Sequence, residues 1–259
     1  MKAYWQGAKM LVMQELNYPA GVAVQTVLSA VSMLATYYLW QTAAGGGEIF
    51  GYSAADLGRY VVLAAIVAGL GRWSQSSDLA GMIYHGTLNQ WLSRPINYLV
   101  YIFWLEAGFK IWQLWYNVAQ FGLLGWWLGS EWWAGLQLDW RLSSLGLIIL
   151  LAFNVSVLVS LLSFWWQGNP WSVRFLLLVL VEVLGGSFFP LDIFSGLWGR
   201  LFVYQPLAYL VYWPTVWLSG SRVPDWQSGG LLLFWVIASS LTVRFVWQQG
   251  LHRYQAFGG

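Results

Sequence analysis

The chain alternates between long apolar runs and short polar segments. Runs of about 20 mostly apolar residues are long enough to cross a bilayer as helices. Six such runs lie at about 20–42, 57–73, 96–128, 143–166, 171–189 and 229–248. The run at 96–128 exceeds one crossing, so we expect it to tilt, break or re-enter. The pattern predicts an all-α integral membrane protein with six transmembrane helices in a single domain, residues 1–259.

A further apolar run, residues 206–220, is too short to cross a bilayer. Its roughly 15 residues would rise only about 22 Å as a helix, whereas the hydrocarbon core is about 30 Å thick. We therefore expect this run to be re-entrant or to lie in the outer interface, as part of a re-entrant helical segment at the outer face, residues 186–220.

The first residues, 1–19, have the periodicity of an amphipathic helix. Trp5 and Val12 share one face of this helix, while Lys2 and Lys9 share another. A helix of this kind lies in the membrane interface rather than across it. We expect an interfacial helix here; the alternative is a disordered tail.

Composition agrees with a membrane protein. Hydrophobic residues make up 59% of the chain and charged residues only 8%, against about 25% charged in soluble domains. The 21 Trp and 14 Tyr suit the headgroup level of a bilayer. Because the chain has no cysteine, only two histidines and no Gly-Lys pair, thiolate chemistry, a histidine metal site and a P-loop are excluded. A net charge of +2 does not favour a nucleic-acid partner, and we expect a protein that is not itself an enzyme.

The distribution of basic residues predicts the orientation. Six spans place both termini on one side, and a cytoplasmic location for them puts seven of the basic residues inside and four outside. This excess follows the positive-inside rule. The polar segment between the second and third spans, residues 74–95 (the polar island), then faces the cytoplasm. Ser76 or Ser77 is a suitable N-cap, and Pro95 starts the next span, so we expect a short helix; the alternative is a plain solvated loop.

Three charged residues fall inside predicted spans: Glu106, Lys110 and Glu182. Glu106 and Lys110 are four residues apart and therefore neighbours on one helix face. Such buried charges cost at least about 2.5–3.5 kcal/mol each by insertion scales, so they usually face protein or water. Two interpretations stay open: a structural ion pair, with Glu182 also near Lys110, or a polar lining of a translocation path.

Two stretches resemble motifs of a known family. Residues 86–97, Gly-Thr-Leu-Asn-Gln-Trp-Leu-Ser-Arg-Pro-Ile-Asn, are similar to the motif after the second span of type-2 ABC exporter permeases, in the bacterial subgroup of small stand-alone permeases. Residues 185–191, Gly-Gly-Ser-Phe-Phe-Pro-Leu, with the prolines near 206 and 214, resemble the family's outer-face signature. Gln205-Pro206-Leu207 departs from it, since the family often has Leu-Pro-Phe there.

The resemblance implies specific roles. Residues 74–95 would be a cytoplasmic coupling helix that docks on an ATPase subunit. The expected docking residues are Met82, Ile83, Tyr84, His85, Gly86 and Leu88. The prolines expected in the outer-face re-entrant segment are Pro190, Pro206 and Pro214.

The resemblance also implies partners and a location. The chain would bind no cofactor, because ATP and Mg²⁺ would bind to separate ABC ATPase subunits, and it would pair with a second copy or a related permease. It would lie in a bacterial plasma (inner) membrane and export a substrate. The few charges in the spans favour a lipidic or amphipathic one. The alternative is a non-transporting membrane scaffold or assembly protein.

Overall fold

The computed structural model describes residues 9–13, 16–71, 79–129, 133, 136–137, 143–166 and 170–254. These residues are almost entirely helical, apart from one two-stranded antiparallel hairpin. In chain order the elements are α1 (Pro19–Ala44), β1 (Glu48–Ile49), β2 (Tyr52–Ser53), α2 (Ala54–Gly71), α3 (Leu79–Tyr84), α4 (Asn89–Leu92), α5 (Tyr98–Trp127), α6 (Ser144–Leu161), α7 (Pro170–Leu184), α8 (Gly196–Tyr204), α9 (Tyr212–Leu218) and α10 (Trp226–Arg253). Short 3₁₀ turns occupy Leu162–Phe164, Leu191–Ile193 and Pro206–Leu210.

A long helix lies in each of the six predicted runs. Among the described residues, three are long and apolar enough to cross a membrane: α1, α6 with its extension to Phe164, and α10. The run at 96–128 forms one continuous 30-residue helix, α5, so of the three alternatives of a tilt, a break or a re-entry, the break does not occur. The all-α class is confirmed, and six crossings stay a prediction.

Local sequence explains where the helices begin. Pro19 occupies the first turn of α1, where its missing N–H is not needed. The Asn97 side chain caps α5 by accepting a hydrogen bond from Val100 N at 3.2 Å. Asp225 and Ser228 form a capping box at the start of α10.

The predicted interfacial helix lies mostly outside the described residues. Residues 9–13 are helical, as expected, whereas residues 1–8 and 14–15 are not described. The interfacial position of 1–19 therefore stays a prediction.

Helix α6 is the centre of the bundle. More than half of its apolar stretch, 56%, is buried, against 11% in α1 and 17% in α10. It packs against α10, α7, α5 and α2, while α2 also packs against α1 and α5. The first and last long helices therefore lie at the periphery, with apolar faces exposed.

The segment between α7 and α10 folds back into the bundle. Tyr212 N donates to Gly185 O at 2.9 Å, so α9 starts beside the end of α7. Helix α9 is enclosed, with Tyr212 fully buried and Trp217 nearly so, and it packs against α2. The segment thus folds back at one end of the bundle, and its being re-entrant in a membrane stays a prediction.

The connections between helices gather at two ends. At one, the hairpin end, Tyr52 of β2 contacts Asp192, and Gln137 N donates to Leu218 O at 3.0 Å. At the other, the island end, Phe164 contacts Trp247 and α3 packs against the Leu162–Phe164 turn. Successive long helices therefore run in opposite directions between the same two ends.

Candidate functional site: the polar island and a buried polar stripe

The described part of the polar island, residues 79–95, folds as two short helices, not the single helix expected, and the N-cap expected at Ser76 or Ser77 lies outside the described residues. Helix α3 ends in a Schellman motif, in which Thr87 N donates to Met82 O at 3.0 Å and Gly86 N to Ile83 O at 3.3 Å. Gly86 has φ 71, a left-handed conformation that glycine adopts without steric cost. The glycine therefore ends α3 before α4 begins.

Burial divides the expected docking residues into two groups. Ile83 and Leu88 are buried inside the chain, in a cluster formed with side chains of α5, α6 and α10. Met82 is half-buried and its sulfur accepts a hydrogen bond from Tyr98 at 3.2 Å. Tyr84 and His85 are exposed, so a partner can contact them directly. Docking on an ATPase stays a prediction, and the accessible part of the set is 84–85.

The sequence reasoning overlooked the exposed side chains of α4. Asn89, Gln90 and Leu92 are exposed, and the Arg94 guanidinium lies 4.5 Å from the centre of the Trp91 ring. These residues extend the polar surface beyond His85. The available signal is Gly86, because a glycine just past a helix ends it, so the residues after Gly86 belong to a separate element.

Glu106 and Lys110 form the predicted ion pair. Lys110 Nζ lies 3.3 Å from Glu106 Oε1, and both side chains are almost completely buried. Lys110 Nζ also donates to Leu70 O at 2.9 Å, in the last described turn of α2. A cation at a helix C-terminus is stabilised by the helix dipole. The pair therefore joins α5 to α2.

Glu182 lies elsewhere in the bundle. It is half-buried on α7, which packs mainly against α6 and the Pro206–Leu210 turn. The structure thus brings Glu106 and Lys110 together and places Glu182 on a different helix interface.

The ion pair belongs to a longer stripe that the sequence reasoning missed. The polar stripe comprises five residues of α5 at alternating spacings of four and three, which places them on one helix face: Glu106, Lys110, Gln113, Asn117 and Gln120. Asn117 Nδ2 donates to Ile66 O at 3.2 Å, and Gln120 Nε2 donates to Thr26 O at 2.8 Å and Ser29 Oγ at 2.9 Å. The alternating spacing of four and three residues could have revealed this stripe in the sequence.

The lack of a side chain on Gly69 makes room for Asn117. A Cβ atom on Gly69 would lie 2.2 Å from Asn117 Nδ2, so only glycine leaves space for the amide to reach Ile66 O. The stripe therefore packs closely against α2.

The three prolines of the outer-face signature lie at the hairpin end. The hydrogen bonds of Gln205 give a reason for glutamine at the position where the family often has leucine. Pro190 and Pro214 are buried, and Pro206 begins a 3₁₀ turn. Gln205 Oε1 accepts from Leu207 N at 2.8 Å, while Gln205 Nε2 donates to Leu184 O at 2.6 Å. One side chain thus caps the turn and satisfies a carbonyl at the end of α7.

Asp192 links three segments at the hairpin end. Its two carboxylate oxygens accept from the Tyr52 hydroxyl at 2.7 and 2.8 Å, and Arg222 donates to it at 2.7 Å. Burial and the hydrogen bond to Asp192 raise the pKa of Tyr52 above its ordinary value. Among the described residues, no group of acidic or histidine side chains could hold a metal ion.

A family model described as ABC-2 family transporter protein matches residues 27–258. The chain belongs to the ABC-2 transporter family. No curated protein and no solved structure matches it. The match covers the polar island, the polar stripe and the segment that folds back, so the resemblance to type-2 ABC permeases is confirmed. As an ABC-2 permease the chain is a membrane component of an ABC transporter, in a family whose members work with an ABC ATPase.

Proposed function

We propose that this ABC-2 permease is the transmembrane subunit of an exporter driven by separate ATPase subunits. Its substrate would be lipidic or amphipathic, moved out of the cytoplasm or the inner leaflet of a bacterial plasma membrane. The observation that carries the proposal is the polar island, which is anchored in the helix bundle yet exposes Tyr84 and His85.

The alternation of the helix connections supports six crossings with cytoplasmic termini. Each long helix runs between the hairpin end and the island end. The positive-inside bias assigns the island end to the cytoplasm. Residues 186–220 would then be re-entrant from the outer side, since α9 enters and leaves at the hairpin end.

The coupling mechanism follows from how the island is anchored. Leu79, Ile83 and Leu88 are buried against the bundle, and α3 packs on both α6 and α7. Because this connection is tightly packed, a movement of a partner at residues 84–85 is transmitted to those helices. Closure of two ATPases on ATP would in this way switch a pair of permeases between inward-open and outward-open states. The pair would be two copies of this chain or this chain and a related one.

The rival function is a membrane scaffold that does not transport. It would need no contact with an ATPase at the island. The exposed apolar faces of α1 and α10 suit lipid or a second permease equally, so they do not separate the two functions. Association with an ATPase does.

The test is copurification from native membranes combined with variants of the island. Replacing Tyr84 and His85 with Ala should weaken ATPase association and abolish permease-stimulated ATP hydrolysis, while insertion stays normal. Phe50→Ala with Val223→Ala, exposed positions at the opposite end, is the matched control and should couple normally. Replacing Ile83 and Leu88 with Asp is less informative. A buried aspartate at either position would disrupt the packing of the bundle whether or not a partner binds there. Full coupling of the Tyr84/His85 variant, or recovery without any ATPase, would contradict the proposal.

A further inference from the structure

Three residues of the polar stripe of α5 donate hydrogen bonds to other parts of the protein. The Lys110 ammonium donates to the α2 backbone, the Asn117 amide nitrogen donates to Ile66 O, and the Gln120 amide nitrogen donates to Thr26 O and Ser29. These bonds hold α1, α2 and α5 together. Hydrogen bonds of this kind join helices in an apolar environment.

Two acceptors of the stripe remain without a donor. The side-chain oxygens of Gln113 and Gln120 are buried and have no hydrogen-bond partner in the described part of the chain. A buried polar atom without a partner is destabilising, and native structures rarely keep one. The two residues are seven apart on one face, about 10 Å along the helix axis.

The chemistry of these atoms defines what can bind. Carbonyl oxygens accept hydrogen bonds and cannot donate them, so the ligand must be a donor. A metal cation is disfavoured because it needs several oxygen ligands within about 2–2.6 Å, whereas these two uncharged residues are about 10 Å apart along the helix axis. A neutral O–H group fits both requirements.

We propose that the Gln113 and Gln120 side-chain oxygens form a binding site for O–H groups inside the bundle. The donor is either water or the hydroxylated headgroup of a lipid. The headgroup source rests on the proposed function, since it makes the site part of the substrate path. On this proposal the stripe has two roles: Lys110 and Asn117 join helices, and the two glutamines face the ligand.

Thiol accessibility tests the proposal directly, because the chain has no cysteine of its own. Single cysteines replace Gln113 and Gln120, with Ile111→Cys and Trp115→Cys as controls on the exposed apolar face of the same helix. The thiolate attacks a methanethiosulfonate reagent, forming a mixed disulfide and releasing methanesulfinate, and the thiolate forms only where water or another polar group is present. The protein is studied in phosphatidylcholine nanodiscs, whose lipid has no O–H or N–H donor, and in phosphatidylglycerol nanodiscs, whose headgroup has hydroxyls.

In phosphatidylcholine, residues 113 and 120 should react several-fold faster than residues 111 and 115. An equal rate in phosphatidylglycerol identifies water as the ligand, and protection there identifies a hydroxylated headgroup. Rates at 113 and 120 no higher than at the controls would overturn the proposal. The measurement needs no ATPase, so its failure leaves the coupling test of residues 84–85 unaffected, and the reverse also holds.

A stability measurement covers the case in which the cysteine variants fold poorly. Gln113→Met removes an acceptor and keeps the side-chain length. If the site is dry, removal of an unsatisfied oxygen raises Tm, and this result would also overturn the proposal. If an O–H group is bound, Tm does not rise. Gln120→Met is the control, since it loses two donated hydrogen bonds and should lower Tm in either case.

Discussion

At Lys110, one ammonium group bonds to two helices. It pairs with Glu106 on its own helix and donates to Leu70 O on α2. The ionic contact alone is weak support for stability, because the desolvation of two charges offsets their attraction. The bond to the carbonyl is a second contribution that an apolar replacement would lose.

Replacing Lys110 alone with Met should therefore destabilise the protein strongly. The change leaves Glu106 without this cation and Leu70 O without this donor, and breaking a buried pair typically costs about 3–5 kcal/mol. Glu106→Gln with Lys110→Met should cost less, about 1–3 kcal/mol, from the unpaired carbonyl. Thermal unfolding in detergent measures both. Equal destabilisation by the two variants would contradict a structural pair, and a stable, ATPase-assembled double variant without transport would place the charges in the path.

The sequence predicted the contact between Glu106 and Lys110 because their spacing alone brings them together. It did not predict Leu70 O as a partner, since every residue has a carbonyl and only tertiary packing selects one. Gln113, Asn117 and Gln120 could have been found by extending the same spacing toward the end of α5.

At the scale of elements, the segment between α7 and α10 depends on its turns. Gly186 has a left-handed backbone conformation, with φ 86, and α7 ends just before it at Leu184. This end lies five residues before the end of the predicted run 171–189. Gln205 then connects the following 3₁₀ turn to that helix end. The apolar run continued through 189 in sequence, and the pair of glycines was the signal that it ends earlier. Gly86 likewise separates α3 from α4 in the polar island.

Replacing Gln205 with Leu, the residue that the family often has, should destabilise this chain. The variant loses the hydrogen bond to Leu184 O and the cap on Leu207 N, a cost of about 1–3 kcal/mol. Gln205→Glu keeps the acceptor for Leu207 N but loses the donor for Leu184 O, so it separates the two contributions. Thermal unfolding of the three proteins gives the comparison. A Leu variant as stable as the parent would show that the two bonds are not needed.

For the whole molecule, the alternating apolar runs predicted the long helices but not which of them is central. Burial of α6 and exposure of α1 and α10 depend on packing, which periodicity in uniformly apolar helices does not reveal. The number of crossings decides whether the two termini lie on the same side of the membrane.

Two engineered cysteines test that number. With six crossings and a cytoplasmic island end, Ser221→Cys should react with an impermeant maleimide added to intact cells. His252→Cys, near the other end of α10, should react only after permeabilisation, because α10 separates the two positions. The cysteine-free parent is the control for background. Labelling of both positions from outside would mean that α10 does not cross the membrane, which contradicts six crossings.

Helices α5 and α7 have very different lengths. At 1.5 Å per residue, the 30 residues of α5 extend about 45 Å and the 15 residues of α7 about 22 Å. A hydrocarbon core of about 30 Å matches neither, and tilting up to the usual limit of about 40° does not remove the excess of α5. If both helices cross, as the prediction of six crossings requires, hydrophobic mismatch of opposite sign would thin the lipid beside α7 and thicken it beside α5. The acyl-chain length of the membrane is therefore expected to influence this permease as directly as any side chain does.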